Sequence, residues 1–168
     1  FLDPACGSGN FLTETYLSLR HLENEVLEII LQGNRMFGGE LSPIRVSIEQ
    51  FYGIEVNDFA VTVAKAALWI AEAQMMHETE HIVMRDLCFL PLRSYSHIER
   101  LNALTTDWNN LIDAAKLSYM IGNPPFKGKK SRDENQKADL QYAIGKDCIH
   151  PGNLDIVTGW FFKAARYI

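Results

Sequence analysis

The chain has 168 residues, 47% hydrophobic and 22% charged, which is room for one domain with a sizeable core and an ordinary balance for a globular protein. No apolar run approaches the ~20 residues of a membrane span. No basic segment runs into an apolar stretch to argue for secretion, and a net charge of −5 gives no support of its own to nucleic-acid binding. Cys6, Cys88 and Cys148 are widely spaced with no paired-ligand pattern, which fits a reduced, cytoplasmic protein. Both ends look cut, the first inside an apparent buried strand and the last inside a helix over 160–168. The chain therefore reads as a piece of something larger.

Phe1-Leu2-Asp3-Pro4-Ala5-Cys6-Gly7-Ser8-Gly9-Asn10 reads as a strand end, an acidic residue and a small-residue loop. Phe11, Leu12, Tyr16, Leu19, Leu22, Val26 and Ile30 then recur at helical spacing, with Gly33 as the closing cap. Strand, Gly-x-Gly loop and helix form the opening unit of a nucleotide-binding α/β fold, in which glycines let backbone approach a ligand at the helix N-terminus. The third glycine of the dinucleotide fingerprint is absent, and no Gly-Lys-Ser/Thr follows to make a Walker loop. Asp3 and the lack of a basic residue in the loop disfavour a phosphate and favour a ligand carrying an ammonium.

Residues 32–50 are expected to form an extended connection with a short helical or irregular piece. Phe51-Tyr52-Gly53-Ile54-Glu55-Val56 is a second strand ending in a carboxylate, the usual holder of two ribose hydroxyls. A surface glutamate at a strand end is the bland alternative. Asp3 and Glu55 lie about 50 positions apart, beyond the compact unit's roughly 20 to 30, so the first crossover is enlarged. Asn57 and Asp58 are N-cap candidates for a helix over Phe59 to Met76. His77-Glu78-Thr79-Glu80-His81 matches the zinc-protease letters H-E-x-x-H, but the helical pattern is read as ending just before it and no third ligand follows. No metal is expected, and Cys148 with His150 reads as a loop pair.

Two stretches compete for the third strand, Ile82 to Asp86 and His97 to Asn102, with Pro91 between them. The second is preferred, because it leaves room for a helix over Trp108 to Ala115 and another strand over Leu117 to Ile121. Asn102 then offers its amide to an adenine edge, and Asp86 is the runner-up. Gly122-Asn123-Pro124-Pro125-Phe126 ends the apolar run. Two prolines fix φ and bar helical continuation, leaving acceptors beside an aromatic face, a setting suited to a planar group with an exocyclic NH2. An ordinary strand-ending turn is the alternative. Lys127, Lys129, Lys130 and Arg132 follow in a glycine-bearing loop and are candidate phosphate contacts on DNA, or simply solvated charges. Ala138 to Ile144 and Leu154 to Ile168 read as helices, with a turn at Pro151-Gly152.

Taken together, these stretches resemble an S-adenosylmethionine-dependent amino-methyltransferase. Phe1 to Asn10 resembles its first motif, Gly53-Ile54-Glu55 its second-strand motif, Asn102-Ala103-Leu104 its third, and Asn123-Pro124-Pro125-Phe126 its catalytic Asp/Asn/Ser-Pro-Pro-aromatic turn. The order matches the gamma-class DNA adenine-N6 methyltransferases. A nearer likeness is to single-chain type IIG/IIL restriction–modification enzymes, including the MmeI-like proteins. It is carried by Asp-Pro-Ala-Cys-Gly-x-Gly-Asn-Phe-Leu, Gln50 to Glu55, Asn102-Ala103-Leu104 with Asp107-Trp108, Gly122 to Phe126 with Gly128, and Leu154-Asp155-Ile156-Val157. Phe126 stands where tyrosine is commoner, which keeps stacking and removes a hydroxyl.

The resemblance implies a Rossmann-like class I methyltransferase sheet, an α/β fold with strands ordered 3-2-1-4 and helices on both faces. It divides residues 1–168 into a cofactor half, 1–116, and a catalytic region, 117–168, with nuclease and target-recognition domains elsewhere in such proteins. It assigns S-adenosylmethionine to Asp3, Pro4, Ala5, Gly7, Gly9, Asn10 and Phe11, to Glu55 and Val56, and to Asn102 and Ala103. Asn123, Pro124, Pro125 and Phe126 would be catalytic, acting on an adenine flipped from double-stranded DNA. The same tetrapeptide serves methyltransferases of protein glutamine or ribosomal guanine N2, and a non-catalytic methylase-like module is a further alternative.

Overall fold

A computed structural model of the protein describes residues 1–33, 44–84, 87, 97–145 and 148–168. Three short parallel strands make the sheet: β1 (Leu2–Asp3), β2 (Tyr52–Glu55) and β3 (Ile98–Arg100), in the order β1-β2-β3. Leu2 registers with Tyr52, and Gly53 with Ile98. On the other edge of β1, Leu2 donates to Tyr119 O at 3.0 Å and accepts from Ile121 N at 2.9 Å, around a single parallel bridge to Met120. The expected strand over Leu117 to Ile121 is thus one bridge, and the order 3-2-1-4 is met by strands only in its first three places.

Helices cover both faces. One face carries α1 (Asn10–Gly33) and α2 (Asp58–Val83), packed through Leu12, Tyr16, Ala64, Leu68, Ala71 and Met75 onto Phe51 and Ile98. On the other, Trp160 and Ala164 of α4 (Thr158–Tyr167) pack with Leu2, Ile54, Ala103 and Trp108. Alternation along β2 explains the split, because Ile54 faces α4 while Gly53 faces Cys6 and Leu12. The helix α3 (Glu134–Ile144) opens with a capping box between Asp133 and Gln136 and buries Leu140 and Ala143.

Several expectations need correction. The periodicity of α1 is helical, but Phe11, Leu22, Val26 and Ile30 are exposed, and the buried stripe is Leu12, Tyr16, Arg20, Asn24 and Leu27. Arg20 and Asn24 hold core positions because Thr79 Oγ1 lies 2.6 Å from Arg20 Nη2 and 2.7 Å from Asn24 Oδ1. The same contact buries Thr79 and carries α2 past Met76 to Val83. His77 and His81 therefore sit within the helix, their Nε2 atoms 3.1 Å apart, and no third ligand joins them among the described residues. At 26 residues α2 is also long and apolar enough to cross a membrane by length and composition alone, yet its buried side is the core contact to α1 and the sheet.

The third strand is the preferred candidate. Ile82 and Val83 end α2, while Arg85, Asp86, Cys88 and Pro91 lie outside the described residues, as do 34–43 of the expected connection. In place of a helix over Trp108 to Ala115 there are two 3-10 turns, Trp108–Asn110 and Ala114–Lys116. Asp107 and Asp113 each accept from the backbone N–H two residues on, which favours separate caps over a continuous helix. The last helix begins at Thr158 rather than Leu154, because Asp155 takes the N–H of Val157 and the Thr158 hydroxyl.

Candidate active site

The cleft lies over the carboxyl ends of the strands, where open α/β sheets bind their ligands. Its volume is about 230 Å³, and Pro4, Ala5, Glu55, Val56, Asn102, Ala103, Pro125, Gln136, Asp139 and Trp160 contribute to its walls. Pro4 and Ala5 ahead of the glycine turn, the end of β2, the turn after β3 and Pro125 thus share one cleft, while Asn123, Pro124 and Phe126 are not in its wall. Among the described residues no lysine or arginine lines it, so that part of its wall offers no counter-charge for a pyrophosphate.

Asp3 lies at the centre of this convergence. Its Oδ1 accepts from Ala5 N at 2.9 Å, and its Oδ2 is buried with no partner. Burial pushes its carboxyl up to about 6; the Ala5 hydrogen bond works against that rise, and the charge on Glu55 adds to it. Gly122, with φ of +154°, lies directly against this carboxylate, and a Cβ there would sit 2.4 Å from Oδ1. The acid ahead of the glycine turn and the residue just before the asparagine–proline turn are therefore in contact. Trp160 closes the arrangement from α4 by donating Nε1–H to Pro4 O at 2.9 Å.

The loop holds its shape through Glu55. Gly7 N donates to Glu55 Oε2 at 3.0 Å, while Val56 N and Asn57 N both donate to Oε1 at 2.8 Å. Gly9, at φ +83°, presses on α2, where a Cβ would meet that of Ala64 at 2.9 Å. Gly7, Gly9, Asn10 and Phe11 form the turn and the start of α1 but are not part of the cleft wall. The Cys6 thiol is pushed up to about 12, chiefly by burial and then by Asp3 and Glu55, so it remains a packed thiol and not a nucleophile.

Asn102 enters the cleft with its amide already engaged: Oδ1 accepts from Leu104 N at 3.0 Å and Nδ2 donates to Asp139 Oδ2 at 2.8 Å. Asp139 and Gln136 come from α3, and no sequence motif marks them. In the asparagine–proline turn, Asn123 and Pro125 are exposed and Phe126 is 74% exposed. Among the described residues, neither the Asn123 side chain nor the Pro124 carbonyl has a hydrogen-bond partner. The chain leaving the turn is pinned, because Lys127 N donates to Asp155 Oδ1 at 2.8 Å and Lys127 O accepts from Ile156 N. Lys129 and Lys130 are exposed beyond it. Arg132 departs from the expected cationic edge: it is 5% exposed and donates from Nη2 to Gly152 O, so its guanidinium braces the loop from inside.

A parallel sheet that gathers a glycine turn, a ribose-type carboxylate and an asparagine–proline turn on one edge has the plan of a methyltransferase domain. Comparison with known proteins makes this specific. The family model described as MmeI, DNA-methyltransferase domain, matches residues 1–168, and the chain belongs to that family. It is 40% identical over 173 residues to DNA methyltransferase A of Bacillus subtilis (strain 168), covering 99% of this chain and 19% of that protein. It is 31% identical over 70 residues to a putative type II restriction enzyme and methyltransferase of Methanocaldococcus jannaschii, covering 42% of this chain and 6% of that one. The solved structure of the type IIL restriction–modification enzyme MmeI in complex with DNA superposes with a TM-score of 0.87 at 40% identity, over all of this chain and 22% of that one. The chain thus spans about a fifth of the length of the Bacillus subtilis protein and of the MmeI chain.

Proposed function

We propose that this domain transfers a methyl group from S-adenosylmethionine to the N6 amine of an adenine in DNA, as the methylase part of a restriction–modification enzyme working in the cytoplasm. The observation that carries the proposal is the contact of Gly122 with Asp3, together with Pro125 in the same wall as Pro4, Ala5 and Glu55. Donor loop and amine-gripping turn then serve one reaction centre. The relatives support DNA over protein or ribosomal RNA, since one is named a DNA methyltransferase and another was solved with DNA.

The residues fit the donor's parts. The orphaned, buried Asp3 Oδ2 suits an ammonium, met directly or through water, and the Glu55 carboxylate has lone-pair capacity left for ribose hydroxyls beyond its three backbone donors. When bound, the cofactor supplies an electrophilic sulfonium carbon. An adenine amine is a poor nucleophile, because its lone pair is conjugated into the ring. With its two hydrogens accepted by Asn123 Oδ1 and Pro124 O, the nitrogen becomes more pyramidal and electron-rich. Phe126 offers the face on which a flipped base stacks. Positioning and these fixed acceptors do most of the catalytic work, so no general base is needed to activate the amine, and the methylated, cationic nitrogen then releases its extra proton to water at the exposed turn. Lys129 and Lys130 lie beyond the turn, where a phosphate backbone would draw on them.

The test is Asn123→Ala in the full-length protein. Transfer to a duplex oligonucleotide, read as N6-methyladenine after digestion, should fall by about 10²-fold or more, as when one preorganised hydrogen-bonding group is lost. Affinity for S-adenosylhomocysteine should change less than about threefold, about 0.6 kcal/mol. Methylation at cytosine, or parallel loss of binding and transfer, would overturn the assignment.

A further inference from the structure

We propose that Asp139 of α3 accepts the exocyclic amine of the cofactor's adenine, and that the remaining N–H of Asn102 Nδ2 donates to N1 of the same ring. This deepens the cofactor reading above and rests on it. Adenine presents an N–H donor beside a ring-nitrogen acceptor on that edge, so a protein reading it needs an acceptor next to a donor. The sequence makes Asn102 the obvious reader, because a carboxamide has both. In the structure Leu104 N–H already engages Oδ1, and that bond also fixes which amide atom is nitrogen. Nδ2 is left as the group facing Asp139.

Several other acceptors around the cleft already hold protein donors. Glu55 takes backbone N–H groups on both oxygens. The carbonyls of Pro4 and Ala103 receive the indole N–H groups of Trp160 and Trp108. Asn102 O takes Thr105 N and Thr106 N, and Gln136 Oε1 takes Asp133 N. Asp139 differs. It lines the cleft, its Oδ2 holds Asn102, and its Oδ1 has no donor among the described residues. An unfilled carboxylate oxygen beside a half-used amide is the acceptor–donor pair that the adenine edge requires. Asp139 reaches this place because the capping box at Asp133 and Gln136 starts α3 one turn earlier, and Leu140 beside it is anchored in the core.

The experiment compares S-adenosylhomocysteine with S-inosylhomocysteine, whose ring carries a carbonyl in place of the amine and a proton on N1. Calorimetric titration of the full-length wild type should favour the adenosyl ligand by about 10²-fold, as when a polar site meets an analogue with mismatched groups. Asp139→Asn gives the ring position an NH2 that can donate to the inosine carbonyl, and the preference should narrow at least tenfold. Asp139→Ala should weaken the adenosyl ligand and narrow the preference without improving inosyl binding, while the circular dichroism spectrum stays that of the wild type. Equal weakening of both ligands by Asp139→Asn would make Asp139 a mere brace for Asn102 and overturn the proposal. An unchanged preference would do the same. Wild-type protein that binds neither ligand would instead bring down the cofactor reading itself.

Discussion

Asp3→Asn tests the centre of the site, because it separates the cost of the buried charge from its use. The carboxyl is raised from 3.8 to about 6, mainly by burial, so folding favours its protonated form. Ionised Asp3 therefore carries a penalty that is absent below pH 3.8, grows between 3.8 and about 6, and stays constant above. A shift of roughly two units corresponds to about 3 kcal/mol. Asparagine keeps an oxygen for Ala5 N and carries no charge, so at pH 8 the variant should be the more stable protein by up to about 3 kcal/mol, with no advantage at pH 4. Cofactor binding should move the opposite way. An ammonium needs the ionised form, so wild-type affinity for S-adenosylhomocysteine should fall by up to tenfold per pH unit below about 6, and Asp3→Asn should bind weakly with little pH dependence. Thermal unfolding and calorimetric titration in matched buffers from pH 4 to 8 measure both. A stability difference that does not change with pH, or a variant whose binding keeps the wild-type profile, would refute the reasoning.

Other substitutions probe the frame. Gly53→Ala would bring a Cβ within 2.8 Å of Cys6 Sγ and 3.2 Å of Leu12 Cδ1, so it should destabilise the protein by about 1–3 kcal/mol, read as a lower urea midpoint. Glu55→Gln loses the charge that gathers Gly7, Val56 and Asn57 N–H groups, and S-adenosylhomocysteine affinity should drop by about tenfold or more, seen by titration. Asp155→Ala frees Lys127 N and Val157 N, loosening the exit of the asparagine–proline turn. Its turnover should fall further than its cofactor affinity, which steady-state kinetics alongside titration would show.

Where the chain commits local chemistry to a role, the sequence was readable. Gly7 and Gly9, Glu55 at a strand end, and Asn123-Pro124-Pro125-Phe126 each announce a backbone geometry, and the structure gathers Pro4, Ala5, Glu55 and Pro125 around one cleft. What stayed hidden depends on partners distant along the chain. Thr79 looks like a polar position at a helix end until Arg20 and Asn24 meet it, and that contact extends α2. Asp139 looks like one more charge on an exposed helix until Asn102, 37 residues earlier, donates to it. Arg132 reads as a cation in a basic loop, and only the carbonyl of Gly152 explains why it turns inward. The strand expected over Leu117 to Ile121 had the right composition, but only Met120 pairs with β1.

The bond from the Trp160 indole to Pro4 joins residues 156 positions apart. The glycine turn is synthesised well before this partner, and it stays without the indole until α4 has been made. A nascent chain arrested before Trp160 should therefore lack this tie between β1 and α4, and its affinity for S-adenosylhomocysteine should fall below that of the finished domain.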